Sequence, residues 1–211
     1  MRLKKIKNAK EMVESSKYYI SNPENNLGRW NLVFENEHPI HIEIGMGKGK
    51  FIIGMAKANP NVNFIVIEKY DSVLVKAVKA LEEMENLDNL KLLLLDAERI
   101  EEIFSKEIDR IYLNFSDPWP KSKHEKRRLT SSTFLRKYEN IFKSKKEIIQ
   151  KTDNKVFFDF SCESIKEFGY EIDEITYDLH SENDESNIQT EYEEKFSSAG
   201  VKINRLKAHK D

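Results

Sequence analysis

Ile40-His41-Ile42-Glu43-Ile44-Gly45-Met46-Gly47-Lys48-Gly49-Lys50-Phe51 decides how this chain folds. A short apolar run ends in glycine at every second position, and an amphipathic segment follows at once. Strand, glycine turn and helix in that order open an α/β sheet; glycine lets the backbone approach a ligand and lets the helix pack tightly on the strand. The spacing differs from the dinucleotide fingerprint, whose third glycine comes one place later. Glu43, two residues before the first glycine, would repel a pyrophosphate and suits a cationic or amino-bearing ligand.

Downstream of this unit, strands alternate with helices. Strands are predicted at 40–44, 64–67, 90–95, 110–115, 147–151 and 171–177, with a last one possible at 201–206. Helices are predicted at 50–59, 72–87, 98–104, 133–142, 155–168 and 191–198, the 133–142 helix capped by Ser131 or Ser132. Leu92–Leu95 is continuously apolar, as expected where both faces of a sheet are covered. The alternation implies an α/β fold, a mostly parallel sheet with helices on both faces. Residues 1–35 read as an N-terminal extension, a short helix plus an irregular arm packed by Tyr18, Tyr19, Trp30 and Phe34, ahead of one domain at 36–211. Segment 179–189 is polar and acidic and is expected to be mobile.

Three acids lie at successive strand ends: Glu43, Glu68 and Asp96. A carboxylate at the second position can accept both hydroxyls of a ribose, and one at the third can accept from an adenine amine. With Glu43 facing a sulfonium and an amino group, the set suits S-adenosylmethionine held over Gly45, Gly47 and Gly49. The competing reading is a dehydrogenase using NAD, against which the glycine spacing counts.

A second signal is Asn114-Phe115-Ser116-Asp117-Pro118-Trp119-Pro120-Lys121, followed by His124-Glu125-Lys126-Arg127-Arg128. Two prolines and an acid exclude a helix interior or central strand, so this is a stiff loop leaving the fourth strand. Lys121, Lys123, Lys126, Arg127 and Arg128 beside it suit phosphate contact, or else form a solvated loop. Trp119 either stacks on an extruded base or wedges the loop against the core.

Bulk composition narrows the class. The 211 residues carry a balanced formal net charge of −2 and one cysteine, Cys162, which excludes an internal disulfide and a multi-cysteine metal site. No metal site is expected. Cations gather in the first 30 residues and at 121–128, acids at 171–194, compatible with one nucleic-acid-binding face. The first ten residues lack the apolar stretch of a secretory signal, and no run approaches membrane-spanning length, so a cytoplasmic protein is expected.

The glycine turn with Glu43, the Asn114–Lys121 block, His124–Leu129, Lys151-Thr152-Asp153-Asn154 and Thr190-Glu191-Tyr192-Glu193-Glu194-Lys195-Phe196 together resemble the bacterial tRNA (guanine-N7-)-methyltransferases, in order from about residue 39 to the end. The resemblance implies a Rossmann-like class I S-adenosylmethionine-dependent methyltransferase fold and methyl transfer to N7 of a guanine in the tRNA variable loop. It implies cofactor contacts at Glu43, Glu68, Asp96 and Asp117, with Asp117 catalytic. It implies substrate contacts at Lys121, Asp153, Thr190, Glu191, Tyr192 and Glu193, and RNA contacts from His124 to Leu129. One departure is visible: Ser144-Lys145-Lys146 stands where the family leads one to expect a Gly-Gly turn. Monomer and homodimer both remain open.

The chemistry agrees with this resemblance. Guanine N7 carries a free lone pair, so no proton has to leave before it attacks, and no strong general base is required. Alignment and a negative charge beside the purine, which becomes cationic, are what the reaction needs, and Asp117 is placed to supply both. Asp153 or Glu193 would accept from the N1–H and N2 amine of guanine; alternatively Asp153 caps the next helix and Glu193 is an exposed acid. An exocyclic amino-methyltransferase, a small-molecule methyltransferase and a tRNA-binding module without catalysis are the remaining alternatives.

Overall fold

The computed structural model describes residues 6–84 and 86–211, so residues 1–5 of the expected extension and residue 85 of the expected 72–87 helix lie outside it. The extension forms α1 (Ala9–Glu14) and α2 (Trp30–Phe34), with a 3-10 turn at Pro23–Asn26 between them. Its arm lengthens the sheet edge: Leu92 N donates to Tyr18 O at 2.8 Å, and Ile20 N donates to Leu92 O at 3.2 Å. Trp30 is wholly buried, and its indole Nε1 donates to Ile103 O at 2.9 Å. Burying that ring with its polar edge satisfied makes the extension part of the core.

Next come β1 (Ile40–Ile44), α3 (Lys50–Ala58), β2 (Asn63–Glu68), α4 (Asp71–Glu82), β3 (Leu90–Leu94) and β4 (Ile108–Asn114). After them follow α5 (Ser132–Ile141), β5 (Phe142–Thr152), α6 (Lys155–Glu167), β6 (Glu171–Thr176), α7 (Glu191–Ser197) and β7 (Asn204–Lys210). The sheet order is β3-β2-β1-β4-β5-β7-β6, parallel from β3 to β5, with β7 antiparallel to both neighbours. Chain order reverses at the β1–β4 pair, which is the switch point where ligands bind in such sheets.

Every residue of β1 and β2 is buried, because helices cover both faces. Ile40, Ile42 and Ile44 enter one core with Trp30, Phe134, Tyr138 and Phe158; the other core joins α1, α3 and α4 through Val13, Phe51, Leu74 and Val78. Strand alternation therefore turns His41 and Glu43 toward the α3 side. Burial and the Arg110 cation push His41 down to about 3, so its imidazole is neutral.

Four expectations change. α4 stops at Glu82, five residues short of the predicted end. β5 starts directly at Phe142, so Ser144-Lys145-Lys146 lies inside a strand and no glycine turn is called for. Asn154, not Asp153, caps α6, accepting from Phe157 N at 2.9 Å. Segment 179–189 is tied down: Arg205 Nη1 reaches Asp184 Oδ2 at 2.5 Å, while Asn187 and Ile188 bind Lys151. Its acids are spent on a buried arginine, which composition alone does not reveal.

Candidate active site

The glycine turn and the Asp117 loop meet at the carboxyl ends of β1 and β4. Gly45, Gly47 and Gly49 all have positive φ (81°, 59° and 96°), yet their tasks differ. A Cβ on Gly49 would lie 3.0 Å from both Ala77 Cβ and Met46 Cε, so this glycine lets α3 pack on α4. A Cβ on Gly45 or Gly47 would meet nothing within 4 Å, so these two face open space.

Glu43 borders that space and is fully buried. Its Oε1 accepts from Asn114 Nδ2 at 2.8 Å, and its Oε2 has no partner among the described residues. Desolvation lifts its pKa to about 8 against the opposing effects of Asn114 and Lys151, with Glu191 and Glu68 adding to the rise. Asn114 Oδ1 and Ser116 Oγ are likewise buried without partners. Buried polar atoms left unsatisfied beside an open turn are what a polar ligand would complete.

Glu68, at the end of β2, accepts from Tyr70 N at 2.9 Å; burial raises its pKa, and the Asp117 charge adds to the rise. Asp96 caps the 3-10 turn Ala97–Glu102 by accepting from Glu98 N at 3.1 Å, and it pairs with Lys69 at 2.5 Å. It sits where the sequence placed it, with both of its oxygens already engaged.

The loop that carries Asp117 is held in a costly shape. Phe115 (φ 52°) and Trp119 (φ 41°) occupy the left-handed region, which bulky residues rarely adopt. Asp117 is exposed at the loop's crest. Lys121 is exposed beside it, as are Lys123, Lys126 and Arg127 on the 3-10 turn Ser122–Arg127 that follows. His124 and Arg127 flank the Trp119 ring, at 5.7 and 5.0 Å. Trp119 is therefore a half-buried part of the basic rim and does not wedge into the core. Arg128 differs from its neighbours: it is buried, and its guanidinium serves loop carbonyls where phosphate contact was expected.

The first turn of α7 closes the opposite side. Thr190 Oγ1 accepts from Glu193 N at 2.9 Å, forming a capping box. Glu191 accepts from Lys50 N at 3.3 Å, tying α7 to the start of α3. Glu193, expected as a base-reading or exposed acid, is neither: it is fully buried and accepts from Lys151 Nζ (2.8 Å), Asn187 Nδ2 (2.7 Å) and Thr190 N (3.4 Å). Asp153 remains available at the rim. Its Oδ2 accepts from the Tyr192 hydroxyl at 3.0 Å, and the Tyr192 ring lies 4.8 Å from Phe115 and 4.2 Å from Phe196.

Two residues with structural weight here, Asn114 and Lys151, were not singled out as site residues by sequence. Asn114 is an uncharged amide after Ile111-Tyr112-Leu113, and Lys151 stands in a strand already carrying Lys143, Ser144, Lys145, Lys146, Glu147 and Gln150, so neither stood out.

Sheet order, glycine turn and the acids at strand ends define the fold of class I methyltransferases. A family profile described as "Putative methyltransferase" matches residues 37–206. Among solved structures, an antibiotic-related methyltransferase superposes with a TM-score of 0.64 at 17% identity, covering 86% of this chain and 93% of its own. A 16S rRNA adenine methyltransferase from Catenulisporales acidiphilia, solved with cosubstrate SAM, superposes with a TM-score of 0.56 at 13% identity, covering 90% and 92%. The tRNA (guanine-N(7)-)-methyltransferase of Lachnoclostridium phytofermentans is 52% identical over 213 residues, spanning 100% of this chain and 99% of that protein. The chain belongs to the tRNA (guanine-N7-)-methyltransferase family.

Proposed function

We propose that this protein transfers the methyl group of S-adenosylmethionine to N7 of a guanine in the tRNA variable loop, giving 7-methylguanosine. The observation that carries the reading is the meeting, at one switch point, of a half-satisfied buried Glu43 over an open glycine turn with Asp117 on a strained, cation-rimmed loop. Bound there, S-adenosylmethionine supplies an electrophilic methyl group on a sulfonium.

The residues present fit that cofactor. The free Oε2 of Glu43 and the free Oδ1 of Asn114 would receive its ammonium, completing two buried acceptors. Glu68 would take the ribose hydroxyls and Asp96 the adenine amine. Gly45 and Gly47 leave the space a side chain would fill.

Asp117 orients the acceptor base and offsets the charge the purine gains, an aligning and electrostatic task with no proton to remove. Asp153, held by Tyr192, accepts from the N1–H and N2 amine of guanine. Lys121, Lys123, His124, Lys126 and Arg127 hold tRNA phosphates, and Thr190, Glu191 and Tyr192 shape the rim of the acceptor site. We read 36–211 as the methyltransferase domain, with 1–35 as its extension. No helix among the described residues is long and apolar enough to cross a membrane. A cytoplasmic protein acting as monomer or homodimer is consistent with this reading.

The test is transfer of labelled methyl from S-adenosylmethionine to unmodified tRNA, followed by digestion to nucleosides. Label in 7-methylguanosine, lost when the variable-loop guanine is replaced, is the expected result; label in another nucleoside discards the acceptor assignment. Asp117→Asn should cut turnover far more than cofactor affinity, and undiminished turnover removes Asp117 from the mechanism.

A further inference from the structure

Arg128 ends the basic run, yet its burial and hydrogen bonding set it apart from Lys126 and Arg127. Its side chain is 10% exposed, against exposed side chains for those two. Nε donates to Pro118 O at 3.0 Å and Nη2 to Trp119 O at 3.2 Å. The guanidinium lies 4.2 Å from the centre of the Phe160 ring on α6, and Nη1 is 3.6 Å from Glu125. Its own backbone is fixed as well, since Arg128 N donates to Glu125 O and Ser131 N donates to Arg128 O, each at 2.9 Å.

The loop needs such a partner. Pro118 and Pro120 have no N–H to donate, so the chain after Asp117 has few backbone donors with which to hold itself. Trp119 between them keeps a left-handed φ of 41°, a conformation that persists only where the surroundings impose it. A planar fork presents two donors at the fixed spacing that two successive carbonyls need; an ammonium can donate to several acceptors but carries no such fixed geometry.

We infer that Arg128 is a positioning residue that clamps the Pro118–Trp119 segment and so holds Asp117 in register, and that it is not a phosphate ligand. The catalytic part of this inference rests on the reading of Asp117 given above; the clamp itself does not. In the basic run, affinity then belongs to the outward-facing cations, and Arg128 acts on turnover.

The experiment compares the full-length wild type with Arg128→Ala, Arg128→Lys and Arg127→Ala. Methyl transfer to unmodified tRNA is measured across a salt series, with S-adenosylmethionine affinity alongside. Both Arg128 variants should lose kcat on the order of 100-fold, the scale of a misplaced catalytic group. Their slope of log KM against log salt should match the wild type, and cofactor affinity should be retained. Arg127→Ala should flatten that slope by about 0.7 to 0.9, the signature of one lost phosphate contact. Added guanidinium ion should restore part of the turnover of Arg128→Ala. Wild-type kcat with a flattened slope in Arg128→Ala, or wild-type kcat in Arg128→Lys, would overturn the proposal.

Acrylamide quenching gives a readout that needs no activity. Trp30 is fully buried, so quenching of the two tryptophans reports chiefly on Trp119. It should rise in both Arg128 variants, and unchanged quenching overturns the clamp. If the wild type puts no label in 7-methylguanosine, the functional reading fails while the quenching still decides the clamp. Should Arg128→Ala not fold, Arg128→Lys carries both measurements.

Discussion

Asn114 Nδ2 donates a 2.8 Å hydrogen bond to Glu43 Oε1, joining the ends of β4 and β1 across 71 residues of sequence. Among the described residues, that amide is the one side-chain hydrogen-bond donor to a fully buried carboxyl whose other oxygen is unpaired. The glycine turn and the loop bearing Asp117 leave these same two strand ends, so the pair sits at the root of both halves of the site.

The raised pKa of Glu43 predicts an inverted pH dependence. Its carboxyl holds a proton in the folded chain up to about pH 8, while the usual carboxyl value is 4.5. Between those limits the folded state binds the extra proton, so the contribution of Glu43 to stability is lost as pH rises. Between pH 5 and pH 8 the Glu43 contribution should fall by a few kcal/mol, while buried His41, pushed to about 3, adds a smaller opposite rise up to about pH 6.5. Urea titrations of wild type and Glu43→Gln should therefore diverge by a few kcal/mol between the two pH values; parallel profiles would assign the wild-type dependence to other groups.

The three glycines should separate into two classes. Gly49→Ala combines a left-handed φ with two 3.0 Å approaches, and overpacking of that kind costs about 1–3 kcal/mol beyond the backbone strain. Gly45→Ala meets open space, so its stability loss should stay near the ~1–2 kcal/mol of left-handed strain, while cofactor affinity falls. Denaturation midpoints and cofactor titrations on both variants decide the matter. Retained affinity in Gly45→Ala would mean the open space is not the ligand's.

Lys151 and Glu193 form a buried ion pair between β5 and α7, 2.8 Å long, with side chains 4% and 0% exposed. Burial lowers the Lys151 pKa, with Glu193 opposing that shift. Removing one partner strands the other, so Lys151→Met should cost about 3–5 kcal/mol. Lys151→Met combined with Glu193→Leu should cost clearly less than the two single losses together, as a double-mutant cycle will show. Additive losses would mean the two residues act independently.

Asp153 should set the choice of base. Inosine lacks the N2 amine of guanine, so a carboxylate reading both donors separates the two. In Asp153→Ala the ratio of kcat/KM for guanine over inosine at the acceptor position should approach one. Tyr192→Phe, which keeps the ring but removes the hydroxyl bound to Asp153, should fall between. A ratio equal to wild type in both variants would take Asp153 out of base reading.

Much of this architecture was legible in sequence because the central strands β1 and β2 are buried on both faces and therefore largely apolar. β1 ran as expected from Ile40 to Ile44. α4 was overextended because Met84 and Leu87 continue the apolar spacing after the helix has ended at Glu82. The acids at strand ends stood out because a charge after an apolar run is conspicuous. Asn114 did not, since an uncharged amide at a strand end gives no such contrast, and its partner is far away in sequence. Arg127 and Arg128 are chemically alike and adjacent, yet one is exposed and the other buried. Only the path of the loop they flank distinguishes them.

Methyl transfer at this site depends on the lone pair of guanine N7, so replacing that single atom tests the reaction. A tRNA carrying 7-deazaguanine at the acceptor position keeps the Watson–Crick edge and every phosphate but presents a C–H where the lone pair was. It should bind this protein as tightly as the unmodified tRNA, at matched salt, and take up no label from S-adenosylmethionine. Label on the deaza base, or undiminished transfer elsewhere in that tRNA, would contradict N7 as the nucleophile and this site as the place where it reacts.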